Sequence, residues 1–468
     1  MKKISRNLLA VFFSDGITRI IGFAATVYIA RLLAVEGFGL INFGLAFISY
    51  ALLFANPGLT VIGAREVAKD TSDRRFIEEV LGLRLLLALA VFIVLIAGTF
   101  FIAHEGTTKQ IILVYSLTLF PFAVLLEFVF QGREEMVYIG ISRILQYAVY
   151  LVIIVIFVRS TRDILIVPLS FVIGYVVSAL FLLVIYIKKY RSFRLRFSLS
   201  HWRLILAASI PVGLAIIFNQ VTISLPPIVL GLLKTSYHVG VFSAAYKVVF
   251  TLLIIERVFY YVFFPVLSRQ YADSPEKLKS NFSFLTRFLF ALTIPLSLGG
   301  LVLAPGVVDF IFGQAFHEAT NVLRVLLLYF MIVPINTIYG YGLIAIDREK
   351  QFSRIITVTA VISGVLIVLL GWQFGFYGAA LALLISESLS IYLMHRALKR
   401  VVQFESVRHT LKPLAAAIVM VVVLYLVQSW HLFTAITAGV SVYLAVFYLI
   451  RGFTVEDLMN IRKMFRSR

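Results

Sequence analysis

RNLLAVFFSDGITRIIGFAATVYIARLLAVEGFG, from Arg6 to Gly39, contains an apolar run over residues 7–33 whose only charges are Asp15, Arg19 and Arg31. About twenty apolar residues at the helical rise cross the hydrocarbon layer, so this run reads as a membrane-spanning helix. It is too long and too polar for a cleaved signal peptide. Comparable runs follow at 38–63, 81–103, 110–130, 137–158 and 164–187. A further eight lie at 204–233, 239–267, 284–312, 319–346, 353–371, 376–398, 411–427 and 432–450. The expected fold is an all-α polytopic membrane protein of about fourteen transmembrane helices.

Composition agrees. The chain is 61% hydrophobic and 14% charged, with a mean hydropathy of +1.00, which a water-soluble enzyme could not carry without large exposed apolar patches. Its 42 Lys and Arg against 23 Asp and Glu give a net charge of +19. With the amino terminus placed in the cytoplasm, the outside loops hold only Lys109, Arg159, Arg162 and Lys234, whereas about thirty basic residues fall on inside segments and their adjoining helix ends. The excess charge therefore belongs to orientation, with both termini inside, and to anionic membrane lipids rather than to nucleic acid. The absence of cysteine removes disulfides, thiolate metal sites and thiol nucleophiles together. The seven histidines lie at span ends or in loops and are assigned no chemistry.

KKYRSFRLRFSLSHWR, residues 188–203, is the one sizeable basic break in mid-chain. It separates a lobe of six spans at 1–187 from a second lobe at 204–398. The terminal helix pair at 399–450 and an amphipathic cytoplasmic tail at 451–468 follow. The break reads equally as an interfacial amphipathic segment or an ordinary positive inside loop. Two short internal matches support the division. VEGFGLINFGLAF from Val35 resembles SYHVGVFSAAYKV from Ser236, making Gly39 and Gly240 equivalent, and QGREEM from Gln131 resembles AIDREKQF from Ala345. Both pairs lie six spans apart. An even spacing gives the lobes the same topology, so they form a parallel repeat with a cavity expected at their interface.

Charges inside a span are expensive, which makes them functional candidates. Asp15, Arg19, Gly22 and Thr26 fall within about 60° of one another on the first helix. Each charge there would cost roughly 2.5 to 3.5 kcal/mol or more against lipid. The stripe must face protein or water, either as a cavity-lining cation with its partner or as an Asp15–Arg19 pair that only fixes packing. Lys247, Glu256 and Arg257 on the eighth span form the second charged wall. On the seventh, Ser209, Gly213, Gln220 and Ser224 share a face, and Gln220 falls opposite Arg19 in the repeat register. Pro211, Pro226 and Pro227 on that span, with Pro57 in Asn56-Pro57-Gly58 on the second, are hinge candidates because each removes a backbone hydrogen bond. Glu127, Arg143, Arg324 and Glu387 lie near enough to span ends for snorkelling to account for them.

No GxxxxGK[ST], HExxH or G-x-S-x-G signature is present, and the outside loops are short, which favours transport over catalysis. The Arg6–Gly39 segment resembles the polysaccharide transporter family, as do VFFPVLSRQY from Val262, LIAIDREKQF from Leu343 and FGFYGAALALLISE from Phe374. This family is a branch of the multidrug/oligosaccharidyl-lipid/polysaccharide flippase superfamily that includes the O-antigen-type flippases. The resemblance implies two six-helix lobes in a V around a central cavity, with two further helices. It also implies translocation of a polyprenyl-pyrophosphate-linked oligosaccharide to the outer leaflet, in the company of polysaccharide polymerase or other assembly proteins. Arg19, Lys247 and Arg257, with Gln220, are then the candidates for the pyrophosphate cavity. No cofactor is expected beyond a proton or sodium ion, for which Asp15 and Glu256 are the candidate carboxylates. The alternatives are a lipid II flippase of the same superfamily, a multidrug or cation antiporter, which would favour acidic cavity charges, and a non-transporting scaffold of an envelope assembly complex.

Overall fold

The computed structural model describes residues 2–70, 74–101, 106–190, 194–255, 275–399 and 410–452, and every long element among them is an α-helix. Without water in the hydrocarbon layer, a helix is the way a single segment satisfies its own backbone. In chain order the helices are α1 (Lys2–Ala55), α2 (Leu59–Lys69), α3 (Arg74–Phe101), α4 (Gly106–Ser116), α5 (Leu119–Ala123), α6 (Glu127–Gly132) and α7 (Met136–Phe157). There follow α8 (Ile166–Tyr190), α9 (Leu199–Leu233), α10 (Ser236–Leu252), α11 (Pro275–Ile311), α12 (Ala319–Ala345), α13 (Glu349–Lys399), α14 (Leu411–Leu426) and α15 (Leu432–Leu449). All fourteen expected spans fall on these helices, the eighth over its described part. Among the described residues, ten segments are long and apolar enough to cross a membrane. Two of them, α1 and α13, each hold two spans joined across a kink, at Ala34 and Gly375.

The kinks differ in chemistry. Gly375 has φ 58° and ψ −135°, which glycine tolerates, whereas Ala34 adopts φ 55° and ψ −171°. That region is nearly closed to a residue with a Cβ and costs about 1–3 kcal/mol.

The fourth span departs from the expected single helix. It is broken into α4, α5 and α6, because Pro121 has no N–H to donate and the chain tightens around it. Thr118 N donates to Tyr115 O at 3.0 Å, and Leu125 N to Phe122 O at 3.2 Å. The turns after spans four and ten, matched in sequence, adopt one motif. Glu134 and Asp347 take φ 56° and 57°. In the first turn Glu134 N donates to Gln131 O (3.1 Å) and Glu135 N to Phe130 O (2.8 Å); in the second, Asp347 N donates to Ile344 O (3.1 Å) and Arg348 N to Leu343 O (2.9 Å). These are Schellman closures built without glycine.

By packing, the chain forms two compact units, Met1–Gly240 and Val241–Arg468. The seventh span, α9, packs on α1 and α2 within the first unit. The basic segment before it is pinned to the start of α3: Arg196 Nε lies 2.8 Å from Glu78 Oε2, and Trp202 Nε1 donates to Glu79 O at 2.9 Å. Trp202 is thereby buried, while Phe197 stays exposed; Phe193 lies outside the described residues. In the second unit the terminal pair α14 and α15 packs on α11, where the Tyr443 hydroxyl donates to Ala291 O at 2.8 Å. The tail beyond Gly452 lies outside the described residues.

The strain at Ala34 predicts that Ala34→Gly raises stability by about 1 kcal/mol or more, and that Gly375→Ala lowers it by a comparable amount. Thermal unfolding of the purified protein in detergent measures both.

Candidate functional site: an intramembrane charge cluster and its helix breaks

On α1 the polar stripe turns inward, as its opposite face demonstrates. Phe13, Ile17 and Ile20 are exposed at 62%, 41% and 72% and form an outward apolar side, while Ser14, Thr18 and Thr26 are buried and Asp15 and Arg19 half-buried. The structure gives Asp15 a partner that the sequence did not suggest. Its carboxylate lies 3.4 Å from Arg143 Nη1 on α7. Arg143 in turn forks onto Glu127 at the start of α6, with Nε donating to Oε1 at 2.9 Å and Nη2 to Oε2 at 3.0 Å. Neither Glu127 nor Arg143 snorkels; they form a bidentate pair, the strongest geometry open to an arginine and a carboxylate. Arg19 stands one turn beyond Asp15, within electrostatic reach of Tyr147 on α7.

The break in span four delivers Glu127 to this cluster, and Arg84 secures the break. Its side chain is 2% exposed. Nη1 donates to Leu125 O at 2.9 Å and Nη2 to Phe122 O at 2.8 Å, with the guanidinium over the Phe122 ring at 5.1 Å. Arg84 thus supplies the donors that the broken helix lacks. The sequence reading did not single it out. The available signal was an arginine four residues into an otherwise apolar third span, followed by Pro121 in the fourth.

Two hinge candidates, Pro57 and Pro211, lie near one another. The chain breaks at Asn56-Pro57-Gly58, where Gly58 has φ 76°, and this break packs directly on α9. A Cβ at Gly213 would lie 2.7 Å from the Pro57 carbonyl carbon, and one at Gly58 would lie 2.9 Å from the Gly213 nitrogen. Pro211 stands within the same turn of α9, whereas Pro226 and Pro227 lie farther along that helix, which continues through all three prolines. Gln220 is half-buried and donates to Ser224 Oγ at 2.6 Å.

Gly39 and Gly240, equivalent in the repeat, also meet. A Cβ on Gly39 would collide with the Ser236 carbonyl, and a Cβ on Gly240 with the Val35 carbonyl. Ser236 is the repeat equivalent of Val35, so the contact is reciprocal in the repeat register.

Lys247 is half-buried on α10 in the second unit. That unit also holds a polar contact in which Asn336 Nδ2 donates to Glu387 Oε1 at 2.7 Å and Ser390 Oγ donates to Asn336 Oδ1 at 3.1 Å. Arg324 donates to Leu301 O at 3.1 Å. Glu256 and Arg257 lie outside the described residues.

A profile of the family described as "Polysaccharide biosynthesis protein" matches residues 4–271, more than half of the chain. The chain belongs to that family. It is 24% identical over 404 residues to an Escherichia coli (strain K12) protein assigned by name to O-antigen transport, covering 84% of this chain and 95% of the relative. It is 22% identical over 412 residues to the capsular polysaccharide biosynthesis protein CapF of Staphylococcus aureus, covering 85% and 99%. Among solved structures it shares the fold of the lipid II flippase MurJ in an inward closed conformation, with a TM-score of 0.80 at 16% identity over 97% of this chain and 99% of that one. A multidrug transporter of the MATE family matches at 0.64 and 14% identity, over 82% and 96%. The protein is thus a multi-pass membrane protein with the fold of that transporter superfamily.

Removing the Arg84 side chain would strand the carbonyls at the span-four break. Arg84→Ala is expected to destabilise by about 3–5 kcal/mol, in the range for breaking a buried charged contact. Arg84→Lys, which cannot fork onto two carbonyls, would recover only part of the loss. Unfolding midpoints of both variants in detergent test this.

Proposed function

We propose that this protein is a flippase that moves a polyprenyl-pyrophosphate-linked oligosaccharide, the repeat unit of an O-antigen, capsule or exopolysaccharide, from the cytoplasmic to the outer leaflet by alternating access. The observation that carries the reading is basic side chains retained inside the membrane. Arg19 is half-buried on the inward face of span one and Lys247 half-buried on span eight. An organic-cation carrier has no use for cations there, whereas a pyrophosphate crossing a low-dielectric layer needs them. Arg257 and Gln220 complete the proposed cavity set. The relatives' names support a glycan cargo. The likeness to MurJ supports only a fold suited to carriers.

The lipid tail stays in the bilayer while the headgroup passes, so the protein handles only the polar part. An inside-negative membrane favours outward movement of the anionic headgroup by about 2.3 kcal/mol per charge per 100 mV. Asp15 and Glu256 are the proposed sites for a proton or sodium ion moved in the same cycle. The meeting of Pro57 with Gly213, two residues from Pro211, supports a hinge between spans two and seven, where two weakened stretches of backbone touch. We place the protein in the cytoplasmic membrane with both termini inside, among anionic lipids and beside the polymerase or assembly proteins that consume its cargo.

Complementation tests the cargo. The wild-type chain is expected to restore surface polysaccharide in a strain lacking its O-antigen or capsule flippase and not to rescue a strain lacking its lipid II flippase; the reverse pattern would establish the lipid II reading. Arg19→Ala with Lys247→Ala is expected to cut restoration at least ten-fold at unchanged membrane abundance, and undiminished restoration would refute the cationic cavity.

The chain has no cysteine, so single cysteines report orientation without background. Lys109→Cys and Lys234→Cys should react with a membrane-impermeant maleimide in intact cells, and Glu134→Cys only after permeabilisation. The opposite pattern would invert the topology.

A further inference from the structure

The cluster of Asp15, Arg143 and Glu127 has a use that packing alone does not explain. A salt bridge serving only to staple helices gains by being sealed, yet these side chains keep 32%, 38% and 19% exposure within the membrane-spanning part of the first unit. Charges at that depth do not face lipid, so the open side of the cluster is polar space. Arg143 is held unevenly. Its fork onto Glu127 is short at both contacts, while its contact with Asp15, at 3.4 Å, is long. A guanidinium presented in this way matches phosphate as well as it matches carboxylate, because both accept two parallel N–H donors.

The groups facing Arg143 come from each element packed most extensively on α7. They are Asp15 from α1, Glu127 from α6 and Tyr175 from α8, together with Tyr147 on α7 itself, which Arg19 on α1 also reaches; Arg84 on α3 lies within electrostatic reach of Glu127. Asp15, Glu127, Arg19 and Arg143 together are neutral when all are ionised. With both carboxylates protonated the same set carries two positive charges, the complement of a pyrophosphate.

We propose that Arg143 is a ligand for the pyrophosphate of the cargo, and that Asp15 and Glu127 hold its guanidinium in the empty carrier where phosphate oxygens replace them in the loaded one. This rests on the flippase reading above and deepens it. When the pyrophosphate takes the guanidinium, one displaced carboxylate draws a proton from the aqueous side, and no bond to the cargo is made or broken. Loading is therefore favoured by acidification. Uptake of one proton leaves the moving headgroup net negative, so the membrane potential still drives it outward. Asp15, the more weakly held partner, yields first.

The test is binding of farnesyl pyrophosphate to the full-length protein in nanodiscs, by calorimetry at pH 7.5 and 5.5. Wild type is expected to bind about ten-fold more tightly at the lower pH, because proton uptake by the displaced carboxylate is linked to binding. Asp15→Asn/Glu127→Gln should bind tightly at both, retaining only the probe's own titration. Arg143→Gln should weaken binding at least ten-fold with or without the carboxylates, and Arg143→Lys should recover only part of it. Asp15→Asn alone, with a smaller gain of about three-fold, serves if the double variant fails to fold. At pH 7.5, binding equal to wild type in the carboxylate variants, or undiminished binding in Arg143→Gln, overturns the proposal while leaving the flippase reading in place. No binding by wild type at either pH overturns both. Inorganic pyrophosphate that binds as tightly as the farnesyl compound overturns the assignment to a lipid-linked ligand.

Discussion

A charge or an unpaired backbone group in the hydrocarbon layer has no water to turn to, and much of the first unit is arranged around that constraint. The fourth span breaks at Pro121, and the carbonyls that the break leaves are taken by Arg84. Because the span breaks there, Glu127 begins a new short helix, from which it reaches Arg143 on the next span. Because Arg143 is thus held, Asp15 on the first span has a cation to face. A proline, a buried arginine and three half-buried charges form one chain of dependence running through spans one, three, four and five.

The same constraint explains why the helices were legible in the sequence and the cluster was not. An apolar run of spanning length has little alternative to a helix, so fourteen spans could be placed from composition. The inward turn of the Asp15 and Arg19 stripe followed from periodicity on a single helix. Which helices stand side by side is a different kind of information. Glu127 and Arg143 lie near the ends of their spans in sequence, and depth alone made snorkelling a sufficient account of each. Only the break in span four, and the packing of α7 against α1, bring them to one place. Arg84 was overlooked for a related reason: its partners are backbone carbonyls, which have no sequence signature of their own.

The internal repeat occupies a middle position. The matched turns at Glu134 and Asp347 close with the same pair of hydrogen bonds, each in a left-handed conformation without glycine. Gly39 and Gly240 had been paired by resemblance alone, and they meet with each backbone against the partner's equivalent position. Such an approach leaves no room for a Cβ on either side. The break at Pro57 also touches α9 at Gly213, beside Pro211, placing two weakened stretches of backbone against each other. The constraint that makes intramembrane charge costly thus has a counterpart in the backbone, since a helix interrupted in the membrane must be supported by a neighbour.

The most direct test of the flippase account is the leaflet accessibility of a labelled polyprenyl-pyrophosphate oligosaccharide in proteoliposomes containing the wild-type protein, with the interior made electrically negative or held at zero potential. The account predicts protein-dependent appearance of the labelled headgroup in the outer leaflet, faster under the negative potential. A headgroup distribution that matches protein-free liposomes under both conditions would contradict it.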